Sequence, residues 1–137
     1  MVEADRPQRG LIDTSVVIDL ERISPRELPA ELAISSITMA ELAAGPHATS
    51  DGDERARRQD RLQRAEAVFD PLPFDGEAAR SYGRVYASVV KEGREARGPR
   101  AVDLLIAATC LAAGLPLYTR NIEDFRGLEE LLTIVGV

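Results

Sequence analysis

The chain has 137 residues, 45% of them hydrophobic, and a formal net charge of −6. This length suffices for one domain with one sizeable core, and the composition is typical of a globular protein. The acidic balance argues against a protein that coats nucleic acid in general. A nuclease remains compatible with it, because cations that fill an acidic site also attract a phosphate.

The start of the chain and its single cysteine indicate where the protein is expected to work. The first residues lack a basic region followed by an apolar one, so we expect no signal peptide, and residues 1–9 are expected to be frayed. No apolar run is long enough to cross a bilayer. Cys110 cannot form an internal disulfide, which fits a reducing, cytoplasmic location without a membrane partner.

Strands are predicted to alternate with helices along the chain. Short apolar runs predict strands at residues 11–12, 32–37, 115–119 and 131–135, and helical patterns occupy residues 14–20, 39–43, 54–69, 76–89 and 101–113. This alternation favours an α/β fold with a mostly parallel sheet, in one domain spanning residues 1–137.

Predicted helix starts and faces add detail to this pattern. Thr14 or Ser15 is predicted to cap the first helix, Thr38 the second and Asp75 the fourth. The helix at residues 54–69 is expected to turn an apolar face inward, formed by Leu62, Ala65, Val68 and Phe69. The helix at residues 101–113 is apolar almost all round, which predicts that it is buried.

Four carboxylates follow or open these elements, and each has an ordinary structural explanation. Asp13 could be an N-cap, Asp103 could cap the apolar helix, and Asp124 could hold a turn. Glu41 follows Thr38 at the spacing of a capping box, in which it would reach back to the Thr38 amide. For Glu41 and Asp124 taken singly, the structural explanation is the favoured one.

Asp103 is the hardest of the four to explain as a cap. Its helix continues through apolar residues into the predicted core, where a carboxylate is unfavourable unless it is paired or binds a metal. The same argument applies to Asp13 if residues 11–12 form a central strand. Carboxylates that come close together repel, and a proton or a cation must neutralise them. With oxygen ligands and no His or Cys cluster, the expected cation is Mg²⁺ or Mn²⁺.

Four segments of the chain carry a family resemblance. They are Leu11-Ile12-Asp13-Thr14-Ser15-Val16, Ile37-Thr38-Met39-Ala40-Glu41-Leu42, Ala101-Val102-Asp103-Leu104-Leu105-Ile106-Ala107-Ala108 and Leu117-Tyr118-Thr119-Arg120-Asn121-Ile122-Glu123-Asp124-Phe125. In this order and at these intervals they resemble the PIN-domain ribonucleases, and among them the VapC-type toxins of bacterial toxin–antitoxin pairs. Each segment alone is a weak match, but the four together are a strong one and cover nearly the whole chain.

The resemblance implies a PIN-like fold, with a mostly parallel central sheet flanked by helices and the acids converging at one end. By position, the acidic quartet is Asp13, Glu41, Asp103 and Asp124. It implies Asp13, Asp103 and Asp124 as metal ligands and Glu41 as the group that orients a metal-bound water or acts as base. Polar support or phosphate contact is implied for Thr14, Ser15, Thr119 and Asn121.

The resemblance also implies a function. It predicts a Mg²⁺-dependent endoribonuclease toxin, in which Mn²⁺ can substitute and which leaves a 5′-phosphate and a 3′-hydroxyl. The expected partners are an RNA substrate such as tRNA or rRNA, a second copy in a homodimer, and a VapB-type antitoxin. A C-terminal segment of the antitoxin would cover or enter the acidic site. Asn121 stands where some relatives have an acid, which lowers the site charge by one and could weaken a second metal.

Two arginine-rich stretches are candidates for contact with RNA. One comprises Arg94, Arg97 and Arg100, and the other comprises Arg55, Arg57, Arg58, Arg61 and Arg64. The alternative for the second stretch is a solvated helix face paired with Asp60 and Glu66, which is at least as well supported.

Rival functions are less well supported by the residues. A phosphoacceptor of the haloacid-dehalogenase kind needs an Asp two residues after the first, where Ser15 stands. Receiver-type and dehalogenase sites both usually need a lysine late in a strand, whereas the only lysine, Lys91, lies in a helical pattern. A catalytically inactive PIN-like binding protein and a solitary RNA-processing nuclease remain as alternatives.

Overall fold

A four-stranded, fully parallel sheet forms the centre of the computed structural model, which describes residues 8–94, 96–98 and 100–137. Its strands are β1 (Arg9–Ile12), β2 (Glu31–Ala33), β3 (Leu117–Thr119) and β4 (Ile134–Gly136). The helices are α1 (Thr14–Ile18), α2 (Ser36–Ala44), α3 (Gly52–Val68), α4 (Gly76–Lys91) and α5 (Arg100–Ala113). The strand order is β2-β1-β3-β4, so the prediction of a parallel sheet flanked by helices is confirmed.

Strand β1 is central because it is apolar on both of its faces. Leu11 pairs with Ala33 of β2 and Leu117 of β3, while Ile12 pairs with Tyr118 of β3. Leu11 and Ile12 are both fully buried. A strand of a parallel sheet that is covered on both sides is expected to read as a continuous apolar run. The chain therefore leaves β1 at the middle of the sheet, and Asp13 is the next residue.

The two faces of the sheet carry two separate apolar clusters. On one side Leu11 and Leu117 pack with Val85 of α4 and Leu104 of α5. On the other side Ile12 and Tyr118 pack with residues of α1 and α2, including Val16 and Leu42. Successive strand residues point to opposite faces, which explains why neighbours in β1 belong to different clusters. Helix α5 is buried along most of its length, as its sequence predicts.

Two of the predicted caps are wrong. The N-cap of α2 is Ser35, whose Oγ accepts a hydrogen bond from the Thr38 amide at 3.1 Å. Ser35 is the hydroxyl residue at which the backbone is still extended, so it can reach forward to the free amides of the first turn. Thr38 therefore lies inside α2, and Glu41 cannot form the predicted capping box with it. Asp13, rather than Thr14 or Ser15, caps α1.

Of the other local predictions, some are confirmed and some are wrong. Asp75 caps α4 as predicted. Val68 is 74% exposed and not part of an inward face, because the last turn of α3 borders an open groove instead of a packed helix. Of the residues predicted to be frayed, 1–7 lie outside the described residues, and Arg9 begins β1. Within the described ranges, no helix is long and apolar enough to cross a membrane.

The close approach at Gly10 gives a stability prediction. A Cβ at this position would lie 2.6 Å from Cε1 of Tyr118 and 2.9 Å from Cγ of Pro29, both of which are buried. We expect Gly10→Ala to lower the free energy of unfolding by about 1–3 kcal/mol, as overpacking does. The control is Gly83→Ala in α4, which faces open space and should stabilise by about 0.5–1 kcal/mol. Urea unfolding followed by circular dichroism measures both; equal midpoints for Gly10→Ala and the wild type would contradict the packing argument.

A candidate metal centre at the carboxyl edge of the sheet

Four acids reach the same edge of the sheet from four different elements. Asp13 follows β1, and Asp124 lies in the 3₁₀ turn Ile122–Phe125 that follows β3. Asp103 lies in the first turn of α5, and Glu41 lies in α2. The carboxyl ends of parallel strands meet at one edge, which is where ligands bind in open α/β sheets. The sequence-predicted quartet is therefore brought together in space.

Asp13 is the most buried of the four, with 5% of its surface exposed. Its Oδ1 accepts hydrogen bonds from the Ser15 hydroxyl at 2.6 Å and from the Val16 amide at 3.1 Å. Burial raises the pKa of Asp13, and the nearby Asp124 adds to the rise, while hydrogen bonds from Ser15, Thr119 and Val16 oppose it. The N-cap explanation and the site explanation of Asp13 thus describe the same carboxylate, one oxygen of which holds the helix.

The loop after β3 is tied to Asp13 through Ser15 and Thr119. The Arg120 amide donates to the Ser15 hydroxyl at 3.1 Å, and the Arg120 side chain lies 3.3 Å from an Asp19 carboxylate oxygen. The Asn121 amide donates to the Thr119 hydroxyl at 3.0 Å. Ser15 and Thr119 therefore do not merely line the site, because they also fix the loop that carries Asp124.

Asp103 feels the combined charge of the quartet. Its pKa is raised to about 7, first by burial and then by the negative charges of Asp124, Asp13 and Glu41, while Arg100 opposes the shift. Within the part of the chain that the structure describes, no hydrogen bond to its carboxylate offsets this repulsion. Asp103 is consequently the acid that a bound cation would relieve most.

Glu41 is the exposed member of the quartet, yet its carboxylate is held. The Thr14 hydroxyl lies 2.5 Å from Glu41 Oε1 and 3.0 Å from the Thr38 hydroxyl. Thr14 is one of the polar residues that the sequence assigns to support of the acids. Thr38, which contacts Thr14, is fully buried. The sequence assigns Thr38 to a helix cap and not to the support of the acids.

Asp124 is positioned by its turn and by an arginine. Asn121 caps the turn by accepting the Glu123 amide on its side-chain oxygen at 3.2 Å. Arg100 donates to the backbone carbonyls of Asp124 at 2.6 Å and Glu123 at 3.2 Å. Arg94 donates to the same Glu123 carbonyl at 3.1 Å. The side chain of Asn121 is thus occupied with the turn.

The predicted RNA-binding arginines differ in their surroundings. Arg94 and Arg100 are partly buried and bonded to the Asp124 turn, whereas Arg97 is exposed and makes no ion pair within the described residues. On α3, Arg57 and Arg58 both pair with Glu54. Arg64 pairs with Asp60 and with Glu21, so the paired-face alternative holds for Asp60. Arg97 is therefore the least engaged of the three arginines at positions 94, 97 and 100.

The donor set fits a hard divalent cation. All four candidate groups are carboxylates, and burial together with the charges of the other three raises the pKa of Asp103. Among the described residues, no three Asp, Glu, His or Cys side chains stand close enough together to enclose an ion. Mg²⁺ does not need such a cage, since it keeps several waters and binds through one or two carboxylates. The arrangement fits a partly hydrated Mg²⁺ or Mn²⁺ rather than a metal with a full protein shell.

Sequence reasoning missed three contributors to this site. Thr38 and Ser35 stand behind Thr14, and Arg120 fastens the β3 loop. The Ser-Ser-Ile-Thr segment at residues 35–38 does indicate the cap. Its first and last residues are three positions apart, which is the spacing between an N-cap residue and the backbone amide that it accepts. Nothing comparable marks Arg120, whose partners are about 100 residues away in sequence.

A groove on the described surface lies outside the quartet. It holds about 800 Å³ between α1, β2 and α3, and none of the four acids lines it. Two exposed apolar side chains stand in its walls, Ile18 at 48% and Val68 at 74% exposure. The groove and the acidic edge are therefore separate surfaces.

The raised pKa of Asp103 predicts how stability depends on pH. The folded state holds this proton up to about pH 7, whereas the unfolded chain releases it near its ordinary value of about 4. The folded state therefore binds more protons in this window, and stability falls as pH rises, by at most about 1.4 kcal/mol per pH unit from this group. Urea unfolding in EDTA between pH 5 and 8 should show the decline, and Asp103→Asn should flatten it. The exposed Asp70→Asn serves as control; a slope unchanged in Asp103→Asn would refute the assignment.

Comparison with known proteins is consistent with the geometry. The PIN domain family matches residues 10–131. Ribonuclease VapC5 of Mycobacterium tuberculosis is 34% identical over 126 residues, which cover 90% of each chain. Ribonuclease VapC1 of Rickettsia felis is 32% identical over 130 residues, covering 90% of this chain and 95% of that protein.

Solved structures give the same result for the fold. One solved structure is VapBC-5 from Mycobacterium tuberculosis, a member of the VapBC family of toxin–antitoxin systems. One of its chains superposes with a TM-score of 0.81 at 32% sequence identity, and the match covers 96% of this chain and 100% of that chain. A chain of the DNA-bound VapBC from Salmonella typhimurium reaches 0.71 at 23% identity over 95% and 98% of the two chains, which supports the fold alone. The chain therefore belongs to the PIN-domain family, and the VapC ribonucleases are among its relatives.

Proposed function

We propose that this protein is a Mg²⁺- or Mn²⁺-dependent endoribonuclease, the toxin of a toxin–antitoxin pair. The convergence of four carboxylates at the carboxyl edge of the sheet carries the proposal. Burial first, and then the charges of the other three acids, raise the pKa of Asp103 to about 7. The names of the relatives support it, since they are ribonucleases at 32–34% identity. The substrate class proposed here is a structured RNA such as tRNA or rRNA.

The roles of the acids follow from their surroundings. Asp13 and Asp103 would hold the metal, because they are the two acids whose pKa values are raised and which a cation would relieve. Asp124 would bind directly or through water. A metal held there would make hydroxide accessible near neutral pH and would offset charge on the phosphate. Glu41, exposed and held by Thr14, would orient the attacking water or accept its proton.

The cations around the site would handle the RNA chain. Arg97 is proposed as the direct phosphate contact, because its guanidinium is exposed. Arg94 and Arg100 remain proposed contacts as well, since each guanidinium has five donors and the carbonyl bonds leave some of them available. Arginine suits this task because its planar fork matches a phosphate.

RNA cleavage tests the proposal most directly. We expect the wild type to cut a small set of RNAs when Mg²⁺ or Mn²⁺ is added, and EDTA to stop it. Asp13→Asn and Asp103→Asn should each lose at least roughly 100-fold in rate, since even groups that only support metal ligands contribute about 10–100-fold. The readout is cleavage of total RNA with mapping of the new ends, and Asp70→Asn is the folded, active control. Cleavage that survives EDTA, or is equal in wild type and both variants, would leave the acids as structural caps, whereas no cleavage by the wild type would favour an inactive binding protein.

The toxin assignment requires an antitoxin, and we propose a VapB-type partner. Support comes from VapBC-5, a toxin–antitoxin system in which the similar chain has a TM-score of 0.81. Two contact surfaces are proposed. A C-terminal segment of the antitoxin would cover the acidic edge. The apolar face of another segment would fill the groove walled by Ile18 and Val68, whose side chains are exposed and apolar. A homodimer is proposed for the toxin itself.

The groove part of this proposal has a matched test. Ile18→Asp and Val68→Asp should weaken co-purification with the antitoxin encoded beside the gene and should leave RNA cleavage by the free toxin unchanged. Val90→Asp is the control, because Val90 is 50% exposed, like Ile18, but lies on α4 at the opposite face of the sheet. Binding retained in both groove variants would place the antitoxin elsewhere, and the lack of any neighbouring antitoxin gene would favour a solitary RNA-processing nuclease.

A further inference from the structure

A chain of hydroxyl groups runs from the end of strand β2 to the Glu41 carboxylate. The Ser35 and Thr38 hydroxyls are 3.4 Å apart, those of Thr38 and Thr14 are 3.0 Å apart, and Thr14 lies 2.5 Å from Glu41 Oε1. Ser35 and Thr38 are both fully buried. Hydroxyls in such surroundings are unfavourable unless they are bonded, and within the described residues none of the buried polar side-chain atoms is left without a partner.

The direction of each bond in this chain follows from the number of protons. A carboxylate only accepts hydrogen bonds, so Thr14 must donate its single hydroxyl proton to Glu41. Thr38 must then donate to Thr14, and Ser35 donates to Thr38. Ser35 Oγ meanwhile accepts the Thr38 amide at 3.1 Å as the N-cap of α2. All three hydroxyl protons therefore point toward Glu41. This chain of hydroxyl groups starts at Ser35, which its bond to the backbone of α2 holds in place.

The chain restricts a side chain that would otherwise move freely. Glu41 is exposed, and a glutamate side chain in solvent retains much of its rotamer freedom, so holding it in one position costs conformational entropy. The short contact from Thr14 is of the charge-assisted kind, which is stronger than a bond between neutral groups. Thr14 in turn is held by Thr38, so one oxygen of Glu41 is committed and the other is left for the site.

We infer that Thr38 is a positioning residue that holds the Glu41 carboxylate through the Thr14 hydroxyl, and that the cap residue Ser35 anchors this chain. The inference rests on the proposed nuclease function for its effect on turnover. The existence of the chain of hydroxyl groups does not depend on that function. The hydroxyl chain and the nuclease function can therefore be tested separately.

The first experiment measures the coupling between Thr38 and Glu41 without RNA or metal. Urea midpoints in EDTA are compared for the wild type, Thr38→Val, Glu41→Ala and the double variant. We expect Glu41→Ala to shift the midpoint by different amounts with and without the Thr38 hydroxyl, because contacting groups are not additive. Thr109→Val is the matched control: Thr109 is 2% exposed, and its hydroxyl donates to Leu105 O on α5. The Glu41→Ala shift should be the same in that background. Additive shifts for Thr38 and Glu41 would overturn the inference.

The second experiment measures turnover of a defined RNA substrate. We expect Thr38→Val to lower kcat by about tenfold or more with KM unchanged, Thr38→Ser to restore it, and Thr109→Val to have no such effect. Thr14→Val should lose as much, and the double variant Thr14→Val/Thr38→Val should lose no more than Thr14→Val alone. If Thr38→Val does not fold, Thr38→Ala replaces it in both experiments, because it also removes the hydroxyl.

The outcomes separate the two claims. A kcat of Thr38→Val within twofold of the Thr109→Val control, or full additivity with Thr14→Val, would overturn the positioning role. A wild-type protein that cuts no RNA would refute the proposed function, while the coupling measured by unfolding would still decide whether the hydroxyl chain holds Glu41.

Discussion

Repulsion among carboxylates at one edge of the sheet is the constraint on which the rest of this structure depends. Asp13 is buried and Asp103 partly buried, and burial together with the charges of the other acids raises the pKa of Asp103 to about 7. Without metal, the fold must compensate for this concentration of charge. It does so with hydrogen bonds to Asp13 and with Arg100, which lies close enough to Asp103 to oppose the shift. This edge of the sheet is therefore the part of the fold that the proposed cation would stabilise most.

The strand order explains why these few contacts suffice. Strand β1 lies between β2 and β3, so the segments that follow these strands meet around Asp13. The segment after β2 brings Ser35 and the start of α2, and the segment after β3 brings Thr119 and the turn with Asp124. Each segment is fastened by side chains of its own, such as Ser35 and Asn121, and by side chains of its neighbours. The site is therefore a property of the sheet edge as a whole.

The sequence predicts the sheet and the helices because those features produce local patterns, and it predicts the four acids as a set only through the family resemblance. A short apolar run followed by Asp13 marks the end of a central strand, and an apolar helix that begins near Asp103 marks a buried one. The assignment of Thr38 as a cap is wrong because two hydroxyl residues, Ser35 and Thr38, compete for that position, and only the backbone conformation decides between them. The contacts of Arg100 with the Asp124 turn join residues 23–24 positions apart, and no pattern reveals them.

The outer strands of the sheet are short, and this has a consequence for self-association. Strand β2 comprises only Glu31–Ala33 and β4 only Ile134–Gly136, and the ion pair between Arg9 and Glu31 adds charge beside β2. Three residues offer too little unpaired backbone to template a further strand, and charged residues at an edge discourage it. Addition of a strand from another chain, the route to swapped or fibrous assemblies, is thereby disfavoured. A second molecule has to approach through side chains on the helices, which permits a closed assembly.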